Sequence, residues 1–136
     1  MSAVERLAVD AAPAATVSAL RETLRSRDIT EYAVVDHGRD MAAAGAPAFP
    51  AWTLVFGSPA AGAKLLARDL AEAVDIPLRL AVIASGPDGS EIVLRDMRTL
   101  LGDELGELAD AFTATLRALA AQARDIAEAS YRVSQL

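Results

Sequence analysis

Cysteine is absent from this 136-residue chain, which excludes disulfides, thiolate zinc sites and thiol nucleophiles and suits a reducing compartment. Histidine is almost absent: His37 is the only one. A metal centre would therefore draw its three or four ligands from carboxylates, so neither a metal nor any other cofactor is expected. Basic residues are outnumbered, 13 against 19 acidic ones for a net charge of −6, and they are scattered singly. Such a chain gains little from counterion release on a phosphate backbone, so no nucleic-acid partner is expected. No signal peptide is expected either, because Glu5 and Arg6 stand where one needs its hydrophobic region. The expected location is the cytoplasm. The one long charge-free stretch, residues 41–63, is broken by Pro47, Pro50, Pro59, Gly45, Gly57 and Gly62. A helix interrupted that often would leave its backbone unsatisfied in lipid, so no membrane span is expected.

What is present reads as one domain over residues 1–136. Leu7, Val9 and Ala11 alternate with Arg6, Ala8 and Asp10, which predicts an outer strand over residues 3–11 closed by Pro13. From Ala14 an amphipathic helix follows, with Val17, Leu20 and Leu24 opposite Arg21, Glu22 and Arg25. Residues 31–36 read as a strand and 41–44 as a single helical turn. The uncharged run 51–56, AWTLVF, reads as a central strand buried on both faces. Ser58-Pro59 is a capped helix start, and its helix carries Leu65, Leu66, Leu70 and Val74 before ending ahead of Pro77. Strands at 78–84 and 91–95 form a hairpin around Gly86-Pro87-Asp88-Gly89.

The last segment, 99–136, follows a sheet-and-helix body of 1–98. Leu105, Leu108, Phe112, Leu116, Leu119, Ala123 and Ile126 recur at three and four after an Asp103 cap, which predicts a helix over about 103–131. At 1.5 Å per residue it is roughly 40 Å long, more than the diameter of so small a domain. Leu119, Ile126 and Val133 are therefore expected to outrun the sheet and to join two copies in a homodimer through this helix. The order of elements defines an α+β fold with a mainly antiparallel sheet covered by helices on one face.

Three segments in fixed order, AVVDH at 33–37, VFGSPAAG at 55–62 and DIPL at 75–78, resemble the bacterial family called domain of unknown function 302. Its pattern runs D-H-x-x-x-A, F-G-N-P-K-A-G and L-D-L-P-L. The resemblance spans nearly the whole chain and implies a TATA-binding-protein-like arrangement of sheet and helices, without implying DNA binding. It implies no activity. Ser58 stands where the pattern has asparagine and Ala60 where it has lysine, so a family ligand relying on those two groups would be lost or altered.

Two places are candidates for chemistry. Gly57, Ser58 and Gly62 lie at a strand-to-helix turn, where free amides suit a small anionic ligand such as a carboxylate or phosphate. The alternative is a plain turn and cap. This is not a phosphate-binding loop, since Ala63 separates Gly62 from Lys64 and Leu65 follows where a hydroxyl is needed. Asp36 and His37, with Asp40 beyond them, are the candidates for general acid–base work; the alternative is that they tie down the turn. Ser58 precedes proline and does not resemble a nucleophile elbow. Trp52, Phe56 and Phe49 are candidates to line a pocket or to fill the core. Three functions stay open: a homodimeric small-molecule-binding or accessory protein, an enzyme using His37 on a small anionic substrate, or a purely structural interaction module. The enzyme reading requires His37 to share a cavity with the amides of residues 58–62.

Overall fold

Pro13 does more than close the first strand. It is the first residue of helix α1 (Pro13–Ser26), which follows strand β1 (Val4–Val9), and a proline at that position lacks only an N–H that has no helical partner anyway. The computed structural model describes residues 4–136, so Ala3, where the first strand was expected to begin, lies outside them. The remaining elements are β2 (Thr30–Asp36), α2 (His37–Ala43), β3 (Ala51–Gly57), α3 (Pro59–Leu66), β4 (Leu78–Ser85), β5 (Gly89–Arg95), α4 (Met97–Leu101) and α5 (Gly106–Ser134), with 3₁₀ turns at Leu70–Asp75 and Asp103–Leu105. The protein is α+β: its five strands form one antiparallel sheet in the order β1-β5-β4-β3-β2.

Register decides which residues face the core. Leu7, Ile92, Val82 and Trp52 form one cross-strand row, and α1 and α5 pack over β1, β5 and β4 on that side. The neighbouring row, Arg6, Val93, Ala81, Thr53 and Val35, lies on the opposite face. This corrects the reading of residues 51–56 as a central strand buried on both faces. The middle strand is β4, and in β3 only Leu54 and Phe56 are buried while Thr53 and Val55 are half-buried. The reason is that the main helical layer covers one face alone. Among buried polar groups, Thr16 Oγ1 and Ser90 Oγ lie 2.7 Å apart and Ser90 donates to the Ala11 carbonyl, which ties the start of α1 to β5.

Three helices depart from their expected course. The single turn expected at 41–44 is α2, which already begins at His37 because Asp36 caps it there. The helix after Ser58 ends at Leu66, because Asp69 accepts from the Ala71 amide at 2.9 Å and caps a separate 3₁₀ turn. Leu70 and Val74 are consequently 77% and 78% exposed instead of buried in a helix face. The C-terminal helix begins at Gly106 rather than Asp103, whose carboxylate is held by Arg98 at 3.3 Å. Its 29 residues span about 43 Å, yet its apolar stripe does not stand in water. Leu119 is 0% exposed and Ile126 half-buried, and only Val133, at 67%, is open. Helix α1 lies alongside and covers the stripe. Ala120, Ala123 and Ala127 are all buried, small enough to admit a close neighbour. Polar contacts hold the two helices in place: Arg27 Nε donates to Gln122 Oε1 at 2.7 Å and Gln122 Nε2 to Ser26 Oγ at 3.2 Å.

Candidate functional site

Strand β3 runs from Gly57 through Ser58 into α3, which packs against the 3₁₀ turn at Leu70–Asp75. Between these and α5 lies an open groove of about 850 Å³, within the range of small-molecule sites. Phe56 and Phe112, both buried, contribute to its wall with Ile29, Leu78 and Leu108, while Ile76 and Leu66 line it from the α3 side. A β-bulge between Glu31 and Ala33 shifts the register of β2 at Tyr32. The Tyr32 ring then lies over Gly57, where an added Cβ would come 3.5 Å from Tyr32 Cε2. Bulges commonly re-aim a side chain in this way, and here Tyr32 becomes part of the groove wall.

Gly57, Ser58 and Gly62 all line this groove, so of the expected ligand-binding set, these three and His37, the three residues of the turn come together. The amides are less available than the sequence suggests. Pro59 has none, the Gly62 amide is bonded to the Ser58 carbonyl at 2.9 Å, and the Ala61 amide faces Ser58 Oγ at 3.5 Å. Ala60, where the family pattern has lysine, is on the lining, and Lys64 follows one helical turn later on the same side.

His37 does not join them. Its Nε2 lies 2.7 Å from Thr53 Oγ1, four residues along β3 from Gly57, or about 14 Å at the rise of a strand. Thr53 belongs to the row on the uncovered face. Asp36 serves as the N-cap of α2, accepting from the Arg39 amide at 3.0 Å. The pair thus ties the strand end to the following helix, with His37 bonding a side chain of β3 instead of the turn backbone. Asp40 pairs loosely with Arg39 at 3.9 Å. Phe49 is exposed and Trp52 packs on the core; of the three aromatic candidates only Phe56 lines the groove.

Electrostatic contacts cluster elsewhere. Arg117 binds Glu5 through both oxygens, and this hydrogen bond holds the Glu5 carboxyl below its ordinary value of 4.5. Arg98 does the same for Asp110 across 2.7 Å. Among the described residues no group of three or more acidic or histidine side chains is placed to hold a metal ion. No helix among them is long and apolar enough to cross a membrane. The groove residues that sequence reasoning missed, Ile29, Tyr32, Leu108 and Phe112, come from two segments far apart in the chain, 29–32 and 108–112. Their only local signal was apolar character.

An antiparallel five-stranded sheet, one main helical layer and a groove at the β3–α3 turn define an α+β domain of the kind the three sequence segments suggested. The sequence matches the family described as Domain of unknown function DUF302 over residues 5–123, and the chain belongs to that family. Among solved structures it is similar to an uncharacterized conserved DUF302 protein from Bacillus stearothermophilus. The TM-score is 0.83 at 19% identity, over 91% of this chain and 100% of that one, which establishes a shared fold. No curated protein matches the chain.

Proposed function

We propose that this is a small-molecule-binding protein whose ligand is largely apolar and occupies the groove between α3 and α5. The observation that carries the proposal is the groove itself: about 850 Å³ lined almost throughout by alanine, leucine, isoleucine, proline and phenylalanine. A monomeric surface rarely leaves so much apolar area open without a use. Binding is favoured over catalysis because the lining holds no carboxylate and no histidine; its only polar side chains are Tyr32, Ser58, Lys64 and Thr115. General acid–base work by His37 would need a substrate reaching around the sheet. The acidic balance and cysteine-free composition support a cytoplasmic protein without a nucleic-acid partner. Assembly of two copies through α5 is a separate proposal, and Val133 and Leu136 at the exposed helix end are what remains to support it.

Gly62 offers the test. A Cβ built there meets only Ile76 Cδ1, at 3.7 Å, so a larger side chain extends along the groove wall without displacing backbone. Gly62→Leu also improves helix propensity, so the variant is expected to fold. Titration calorimetry with 1-decanol, a neutral apolar ligand, should show saturable binding to the natural chain and at least a tenfold loss in Gly62→Leu. Equal affinity in both, or no binding to either, overturns the proposal.

A further inference from the structure

The groove has one charged wall residue. Of its twenty lining residues only Lys64 carries a charge, and Lys64 is the sole lysine of the chain. Among the described residues its ammonium forms no ion pair, in contrast to Arg6, Arg21, Arg98 and Arg117, each of which has a carboxylate partner. The neighbouring acids are Asp69, Glu72 and Asp75 on the 3₁₀ turn, and none of them lines the groove. Asp69 is engaged in capping. A long apolar wall with a single cation is the complement of a molecule with a long apolar body and a single negative charge. Resting on the proposed function above, we infer that the ligand is an amphiphilic monocarboxylate, its hydrocarbon part along Phe56, Ile76, Leu78 and Phe112 and its carboxylate on Lys64.

The chemistry distinguishes this class from its neighbours. Exposed Lys64 forms a solvent-accessible pair, so its contribution is modest and salt-sensitive. The apolar wall supplies most of the affinity and the lysine supplies the choice between head groups. A phosphate monoester would place two charges against one cation, and a neutral alcohol would leave the ammonium without a partner. The rest of the protein works against any anion, since the chain is −6 overall. Unspecific adsorption would therefore favour a cationic amphiphile, and a preference for an anionic one reports the local site.

Decanoate, 1-decanol and decylammonium, which share a ten-carbon chain, separate the possibilities in calorimetric titrations at low ionic strength, about pH 8 and below micelle formation. The natural chain should bind decanoate at least about fivefold more tightly than decanol and decylammonium most weakly. Lys64→Met, which keeps the apolar stem, should bring decanoate and decanol together, and Lys64→Glu should turn the preference toward decylammonium. Circular dichroism confirms that both variants fold. Decanol binding as tightly as decanoate, or an unchanged ratio in Lys64→Met, overturns the carboxylate inference while leaving the groove's apolar role standing. Failure of all three ligands to bind overturns both.

Discussion

Replacing His37 with alanine should weaken the fold and leave the groove untouched. The ring's Nε2 lies 2.7 Å from Thr53 Oγ1 between two half-buried side chains, so removal deletes one hydrogen bond while water can still reach the hydroxyl. A loss of about 1 kcal/mol follows, reduced by up to about 0.5 kcal/mol because alanine favours the first turn of α2 more than histidine does. For 136 residues the unfolding entropy is about 0.3 kcal/mol per kelvin, so the melting temperature falls by about 2–4 °C. A double-mutant cycle with Thr53→Val removes the propensity contribution and should return a coupling of about 0.5–1 kcal/mol. Urea denaturation of the four proteins measures it, and decanol titration of the same proteins should give unchanged affinities. Zero coupling combined with a tenfold loss of ligand affinity in His37→Ala would show that His37 serves the binding site and that the geometric separation has been misjudged.

Two further perturbations probe the scaffold. Leu119→Ala, at a fully buried position between α5 and α1, should cost about 2–5 kcal/mol and lower the melting temperature by roughly 7–17 °C, whereas Val133→Ala at the exposed end of the same stripe should stay within about 0.5 kcal/mol; similar shifts for the two in calorimetric melting would refute the packing of α5 on α1. Because Arg117 holds the Glu5 carboxyl below its ordinary 4.5, the stabilisation from that pair is complete above pH 4.5 and is lost as the pH falls through the lowered folded-state value. Stability measured from pH 7 down to pH 3 should therefore decline less steeply below pH 4.5 in Arg117→Met than in the natural chain, and parallel curves would contradict the pairing.

Much of this architecture was legible because it is written locally. The 3.6-residue recurrence of Val17, Leu20 and Leu24, the β-rich runs at 31–36 and 51–56, and the Gly-Pro-Asp-Gly turn each appear where expected as α1, β2, β3 and the β4–β5 hairpin. The misread places depend on what lies opposite in space. Leu70 and Val74 continue a helical spacing, but Asp69 captures the Ala71 amide and ends it. Leu119 sits on a seven-residue stripe that resembles a dimer seam, yet α1, a hundred residues earlier in the chain, covers it.

The candidate site was legible by half for the same reason. Gly57, Ser58 and Gly62 share one turn and therefore share one groove, whereas His37 was grouped with them only as the lone histidine near a strand end. Antiparallel pairing of Thr30 with Gly57 and of Asp36 with Trp52 puts the two ends of β2 at opposite ends of β3. The Tyr32 bulge and the Phe112 wall depend on register and on docking of α5, which no local pattern announces.

The central claim is that the groove between α3 and α5 takes an apolar ligand, and methyl-resolved NMR during a 1-decanol titration tests it most directly. The methyl signals of Leu66, Ile76, Leu78 and Leu108, all on the groove wall, should shift together and saturate, while those of Ile83 and Val93 on the uncovered face of the sheet stay fixed. Shifts confined to Ile83 and Val93, or no saturable shift at any of the six, would contradict the account.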